Sequence, residues 1–451
     1  MAIQDANEQD VLNLFVELLP PERWEQLEAE LEGDRRPQVF TLRVVAAMML
    51  LQRLDAHGTQ GEVVRKLAEG RLNHLLPNSK RVRGKKISCN AGAYCTACGE
   101  FPAALLKKVC AEMLAALAKR IRPGVAELDV AVMLVDGTSI SLAHDSALLN
   151  PYPPSRNQHG DAHWGMLRVV VLHDVYTGIA LHPQWGPMYG SQVVSEQQLA
   201  EQALPSAPPG CVILGDGNFG IFSFAYSVVE SRREVLLRLT AQRAKAMGAA
   251  KLLPWGEERM VWKPSRKDRE KNPQLPQDAE IRGRLIAVLR PGFSDPLYLF
   301  TTLPWPLEKV VAVYALRWNV EVDLRSLKHT LGLFHLRGKS PAAIEKELLM
   351  ATVAYALVRA FMALSARRSG VEPRRLSFTA ACSLLDLMIG QLCCGDREQR
   401  ELALDRLLHL MASCKLPHRS QPRQQERAVW GFRQNFPLRR PNGKPSQIKW
   451  H

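Results

Sequence analysis

The chain has 451 residues, of which 46% are hydrophobic and 23% charged, an ordinary globular composition that excludes a largely disordered polymer. Lys and Arg outnumber Asp and Glu by 59 to 45, giving a net charge of +14 and a pI near 9.5, which favours polyanions: nucleic acid first, an anionic membrane surface second. No apolar run is read as reaching the roughly 18 residues that span a bilayer, the first residues carry acids with no basic stretch before an apolar one, and nine scattered cysteines suit a reducing compartment. A soluble cytoplasmic protein without a membrane partner is expected.

Apolar positions three and four apart over residues 9–31 and 38–57 predict helices. "SKRVRGKK" (79–86) is a basic connector, and "FPAALLKKVCAEMLAALAKRI" resumes an amphipathic helix, so residues 1–122 read as a helical N-terminal domain whose basic seam either binds DNA or is a solvated loop. The single CxxC of Cys95 and Cys98, with Cys89 upstream, has no second pair at ligand spacing and reads as helix cysteines before zinc ligands.

From residue 130 the texture changes to short β-branched runs: "VAVMLVDGTSISL", "MLRVVVLHDV" and "GIALHPQW", then helical "SEQQLAEQAL", a strand in "CVILGDGNFG", a helix in "FSFAYSVVESR" and a fifth strand in "EVLLRLT". This order predicts an α/β domain with one mixed five-stranded sheet flanked by helices, its first part over 123–240. Residues 241–305, containing "KPSRKDREKNPQLPQ" and predicted strands at "EIRGRLIAVLR" and "PLYLFTT", read as a β-containing insertion. The sheet domain resumes over 306–365 with a long helix from about 307 and a very apolar one at 342–365. A helical C-terminal region, 366–451, ends in a tail rich in Lys, Arg and Pro.

The helix after 307 contains "YALRWNVEVDLRSLKHTLG". At about 100° per residue, Val313, Leu316, Val320, Leu324, Leu327 and Leu331 form one core-facing stripe, while Tyr314, Arg317, Glu321 and Lys328 share an arc of about 60° beside it. Asp323 lies on the other side. An exposed Arg317–Glu321 pair alone would be worth only about 0.3–0.5 kcal/mol. Two further acids change its meaning: Asp136 in "LVDGTS" and Asp216 in "VILGDGNFG", each read as ending a strand. Two strand-end carboxylates joined by one from a helix packed at that sheet edge could hold two Mg²⁺ ions about 3.5–4 Å apart and drive in-line displacement at phosphorus.

With Asp136 and Asp216 on strands, then Tyr314, Arg317 three on, Glu321 four further and Lys328 seven further, the sequence resembles the DDE transposases of the insertion-sequence-four type, whose signature is Y-(2)-R-(3)-E-(6)-K. "RSLKHTLGLFHLRGKS" and "LFVELLPPERWEQLEAEL" extend the resemblance over roughly residues 10–365. It implies an RNase H-like fold and metal-dependent cut-and-paste transposition of an insertion sequence, in which hydrolysis at the element end is followed by a hairpin, its reopening and strand transfer. It also implies two Mg²⁺ ions, replaceable by Mn²⁺, held by Asp136, Asp216 and Glu321. Tyr314, Arg317 and Lys328 would hold DNA phosphates.

The partners implied are the terminal inverted repeats, target DNA and a second copy of the chain in a synaptic complex, in a bacterial cytoplasm with the nucleoid. Hairpin-forming relatives carry a stacking Trp on the last insertion strand, where this chain has Leu297 and Tyr298. Tyr298 is one candidate platform, and Trp255 and Trp262 are others. Lesser metal candidates are Asp174, whose setting suits a hairpin turn, and the loop pair His159 and His163. The rival functions are an RNase H-like nuclease without strand transfer and a non-catalytic DNA-binding protein derived from a transposase.

Overall fold

The computed structural model describes residues 11, 13, 16, 18–30, 39–55, 58–121, 130–158, 160–289 and 295–417. His159, the junction at 122–123 and the basic tail beyond 417 lie outside the described residues.

The β-branched runs form a single eight-stranded sheet: β1 (Val132–Ser141), β2 (Met166–Asp174), β3 (Gln184–Pro187), β4 (Val212–Gly215), β5 (Glu234–Leu239), β6 (Gly256–Trp262), β7 (Ile281–Val288) and β8 (Leu297–Thr301). The spatial order is β3-β2-β1-β4-β5-β8-β7-β6. β1 pairs antiparallel with β2 and parallel with β4, β4 runs parallel to β5, and the remaining pairs are antiparallel. β4, "VILG", is buried at every position, as a central parallel strand covered on both faces must be. Four of the predicted strands lie where expected, the third is shifted from "GIALHPQW" to Gln184–Pro187, and the sheet is larger than predicted. The insertion's strands do not stand apart: β8 pairs along β5 and carries β7 and β6 outward with it. β6, with "GEERMVW", was missed because Glu257, Glu258 and Arg259 hide its strand character on an exposed edge.

Alternation along β1 sends Met133 and Val135 into one core layer and Val132 and Leu134 into the other. The first layer is covered by α6 (Glu196–Ala203) and α7 (Phe222–Glu230), the second by α8 (Leu307–Ala315) and α9 (Asn319–Arg325).

A third core belongs to the helices. α10 (Pro341–Arg368) is apolar on all sides and lies among α2 (Leu42–Leu54), α5 (Ala103–Ile121), α11 (Phe378–Cys393) and α12 (Arg397–Ser413). The first helices, α1 (Pro21–Ala29), α3 (Gln60–Ala68) and α4 (Gly92–Glu100), join the same assembly. Contrary to the reading of the apolar runs, α10 is long and apolar enough by length and composition to cross a membrane, and its apolar window is entirely buried by neighbouring helices. Cys95 and Cys98 lie on α4. The Cys95 thiol bonds Gln60 Oε1 at 2.7 Å, and burial pushes the Cys98 thiol up to about 11, as expected of packed helix cysteines.

Candidate active site

β1 does not end at Asp136. It continues to Ser141 with only β2 beside it, because β4 leaves the sheet at Gly215. The gap left by β4 is a notch in the sheet beside the second half of β1. In the parallel register Leu134 faces Leu214, so two residues further Asp136 comes level with Asp216, which stands just past the end of β4. Adjacent strands lie about 4.8 Å apart. Asp136 follows Leu134 by two positions within β1 and shares its face, the one covered by α8 and α9, while Asp216 is the first residue past β4.

Three carboxylates influence one another in the notch. Burial pushes Asp136 up to about 6; the Gly137 N–H, 2.8 Å from Asp136 Oδ1, partly counters this, Asp216 and Glu196 raise it further, and Arg317 lowers it. Glu196, at the start of α6, is also raised, by burial and by Asp216, against the nearby Arg168. Its carboxylate lies against the backbone of β1: a Cβ added at Gly137 would stand 1.9 Å from Glu196 Oε1.

The predicted continuous helix is broken. α8 ends at Ala315, a 3₁₀ turn covers Leu316–Trp318, α9 follows, and Ser326–Thr330 is a π-helical turn. Such turns change the angular advance per residue, so the uniform arc holds only in part. Tyr314 is 6% exposed and packs in the core with Val310, Val313 and Val320. Arg317 reaches Glu321, Nη2 to Oε1 at 3.3 Å. Lys328 donates from Nζ to the Ser139 carbonyl at 3.0 Å, and burial lowers its pKa. Arg317 therefore links the Glu321 helix electrostatically to Asp136, and Lys328 ties it to β1.

Among the described residues, no three His, Cys, Asp or Glu side chains converge closely enough to hold a metal ion. The donor chemistry nonetheless fits a hard divalent cation: the groups are all carboxylates, and Asp136, raised chiefly by burial, is raised further by Asp216 and Glu196.

A family model described as the transposase DDE domain matches residues 130–357, about half the chain, from just before β1 into α10. The chain belongs to that transposase family. Comparison with curated proteins finds no match. A transposase domain implies DNA as its partner and a nucleic-acid-processing enzyme.

Within the transposase domain two of the three aromatic platforms expected on the insertion are core residues. Tyr298 is 7% exposed, and Trp262 is 5% exposed, its ring 4.8 Å from that of Phe300 and 5.6 Å from that of Phe222. Neither offers a ring face to DNA, because the insertion extends the sheet and α7 covers it. Trp255 is half exposed. Trp318, not singled out in the sequence, is 64% exposed beside Arg317, whose guanidinium carbon lies 5.2 Å from the ring centroid. An aromatic next to the Arg of the signature is the signal that could have found it.

Glu196 was also missed; as the first residue of a capped helix it reads as a helix-dipole acid. Asp174 is committed to a turn, its Oδ1 accepting from Tyr176 N, Thr177 N and Thr177 Oγ1. The His163 ring stacks on that of His144 at 4.0 Å. Asp323, two residues from Glu321, is fully buried between Arg359 and Arg374 at 2.7 and 2.6 Å.

Proposed function

We propose that this transposase moves an insertion sequence of the insertion-sequence-four type by cut-and-paste chemistry, with Asp136, Asp216 and Glu321 as its catalytic carboxylates. What supports the reading is that β1 carries Asp136 past the end of β4, where Asp216 follows, on the β1 face covered by the helices that bear Arg317 and Glu321. An RNase H-like ancestry accords with the order of the first five strands, β3-β2-β1-β4-β5.

Asp136, Asp216 and Glu321 would hold two divalent cations, Mg²⁺ or Mn²⁺, which when bound supply Lewis-acid activation of the attacking oxygen and neutralise the leaving one. The chain's own groups handle the DNA. Arg317, now bonded to Glu321, can exchange that partner for a phosphate oxygen and leave the carboxylate available. Lys328 has ammonium protons beyond the one given to Ser139 and would fix a neighbouring phosphate. Tyr314, being buried, supports the helix from beneath.

A hairpin intermediate requires an unstacked base to be held. Trp318, with Val322 (47% exposed) one turn on, forms an exposed apolar ridge beside Glu321 that suits stacking. A second copy of the chain would be needed to synapse two ends.

The test is cleavage of DNA carrying the element ends in Mg²⁺ or Mn²⁺. Asp136→Ala, Asp216→Ala and Glu321→Ala should each abolish cleavage while DNA binding persists. Cleavage retained in any of them would refute its assignment, and hydrolysis without strand transfer would favour the nuclease reading.

A further inference from the structure

We infer that Glu196 and Gln197, the first two residues of α6, are positioning residues that set the Asp216 carboxylate through Asn218. The inference rests on the transposase reading for what Asp216 does, while the grip itself is drawn from contacts alone.

Asp216 stands beyond the last paired residue of β4, so no strand ladder holds it. Its Oδ1 accepts from the Asn218 backbone N–H at 2.8 Å. Asn218 is in turn held from α6: its Nδ2 donates to Glu196 Oε2, and Gln197 Nε2 donates to both its carbonyl oxygen and its Oδ1, each at 2.8 Å. With Nδ2 donating to one residue and Oδ1 accepting from the next, the amide has one favoured orientation, so the turn cannot rotate without breaking bonds at both ends.

The anchor is firm. Ser195 and Gln198 form a reciprocal cap at the start of α6, Ser195 Oγ accepting at 3.1 Å and Gln198 Oε1 at 2.9 Å. Leu199, Ala200 and Ala203 bury the other side of the helix. Gly137 supplies the room, since any Cβ there would occupy the place of the Glu196 carboxylate. A turn that merely caps itself would need the Asp216–Asn218 bond only; three further bonds from a neighbouring helix point to a fixed carboxylate position.

Glu196→Ala, Asn218→Asp and the double variant Glu196→Gln/Asn218→Asp are compared with the parent by hydrogen exchange across 216–219, thermal unfolding and DNA affinity without metal, and by single-turnover cleavage in Mg²⁺. Glu196→Ala should speed exchange of the Asn218 amide and lower cleavage about 10- to 100-fold, the range for residues that orient carboxylate ligands, with DNA affinity and unfolding temperature unchanged. Asn218→Asp sets two carboxylates together and should do at least as much harm. The double variant restores a donor–acceptor pair, the amide introduced at 196 giving its proton to the carboxylate introduced at 218, and should recover both protection and cleavage.

Parent-like exchange and cleavage in Glu196→Ala, or a double variant no better than Asn218→Asp, would overturn the inference. Slowed cleavage without faster exchange would also overturn it. If instead exchange responds as expected but Asp216→Ala still cleaves, the grip stands and the role given to Asp216 fails.

Discussion

Lys328 Nζ donates to the main-chain carbonyl of Ser139 at 3.0 Å, joining the π-helical turn after Glu321 to the stretch of β1 that continues past Asp136. The bond spans the notch and makes Lys328 part of the scaffold as well as a cation near it. Charged hydrogen bonds of this kind contribute about 1.5–3 kcal/mol, less when half exposed. Lys328→Ala should therefore lower stability by about 1 kcal/mol and reduce cleavage more than DNA affinity. Thermal unfolding alongside binding and single-turnover assays checks this; an unchanged unfolding temperature would remove the scaffold role.

Asp136 yields a pH prediction. Its pKa is raised from 3.8 to about 6, so the native state holds the proton more tightly than the unfolded chain. The stability attached to this carboxyl is fully present below about 4 and is lost as pH rises through 6. Without divalent cations, Asp136→Asn should accordingly be more stable than the parent at pH 7.5, by up to about 3 kcal/mol before screening by solvent at this partly exposed group, and no more stable at pH 4. Adding Mg²⁺ or Mn²⁺ should raise the parent's unfolding temperature and that of the variant less, an effect that fades as pH falls below 6. Unfolding scans across pH, with and without cation, decide it.

Glu321 and Asp323 are two residues apart and should behave oppositely. Burial drives the Asp323 carboxyl up, but Arg374, Arg359 and the neighbouring His173 outweigh it and hold the group below the usual carboxylate range. Tyr355 adds a hydrogen bond at 2.8 Å. Removing one partner of such a buried set costs about 3–5 kcal/mol, so Asp323→Ala should unfold at much lower temperature. Glu321→Ala, at a side chain 40% exposed, should unfold like the parent yet lose cleavage. Equal stability of the two variants would contradict this division of roles.

How much of this was legible beforehand follows from the kind of signal involved. β-branched runs located four of the first five strands and, with Asp216 just past the end of β4, brought Asp136 and Asp216 to one region, because hydrophobic period and turn residues are local properties. The continuation of β1 past Asp136 was not visible, since "DGTSIS" reads as a turn and is kept extended by its pairing with β2. The interruptions at Leu316–Trp318 and Ser326–Thr330 leave no mark in a 3.6-residue pattern, so Tyr314 was placed at the rim although it is buried. Glu196 and Asn218 meet across 22 positions, a contact that only the packing of α6 against the sheet creates.

The three tryptophans considered for stacking, Trp255, Trp262 and Trp318, separate packing from recognition. Trp262 is enclosed by Phe222 and Phe300, and cutting it to Ala should cost about 3–5 kcal/mol, with any loss of activity following the loss of fold. Trp318 sits on a 3₁₀ turn with most of its surface in solvent, so Trp318→Ala should leave the unfolding temperature within about 1–2 °C of the parent. If it stacks on a displaced base, its removal forfeits about 1–3 kcal/mol, and the loss should appear in hairpin formation while first-strand nicking continues. Restoration by Trp318→Phe, which keeps a ring face, together with enhanced 2-aminopurine fluorescence at the element end in the parent but not in Trp318→Ala, would tie the effect to stacking. A parent-like hairpin yield in Trp318→Ala would send the search to Trp255, the half-exposed residue at the turn into β6.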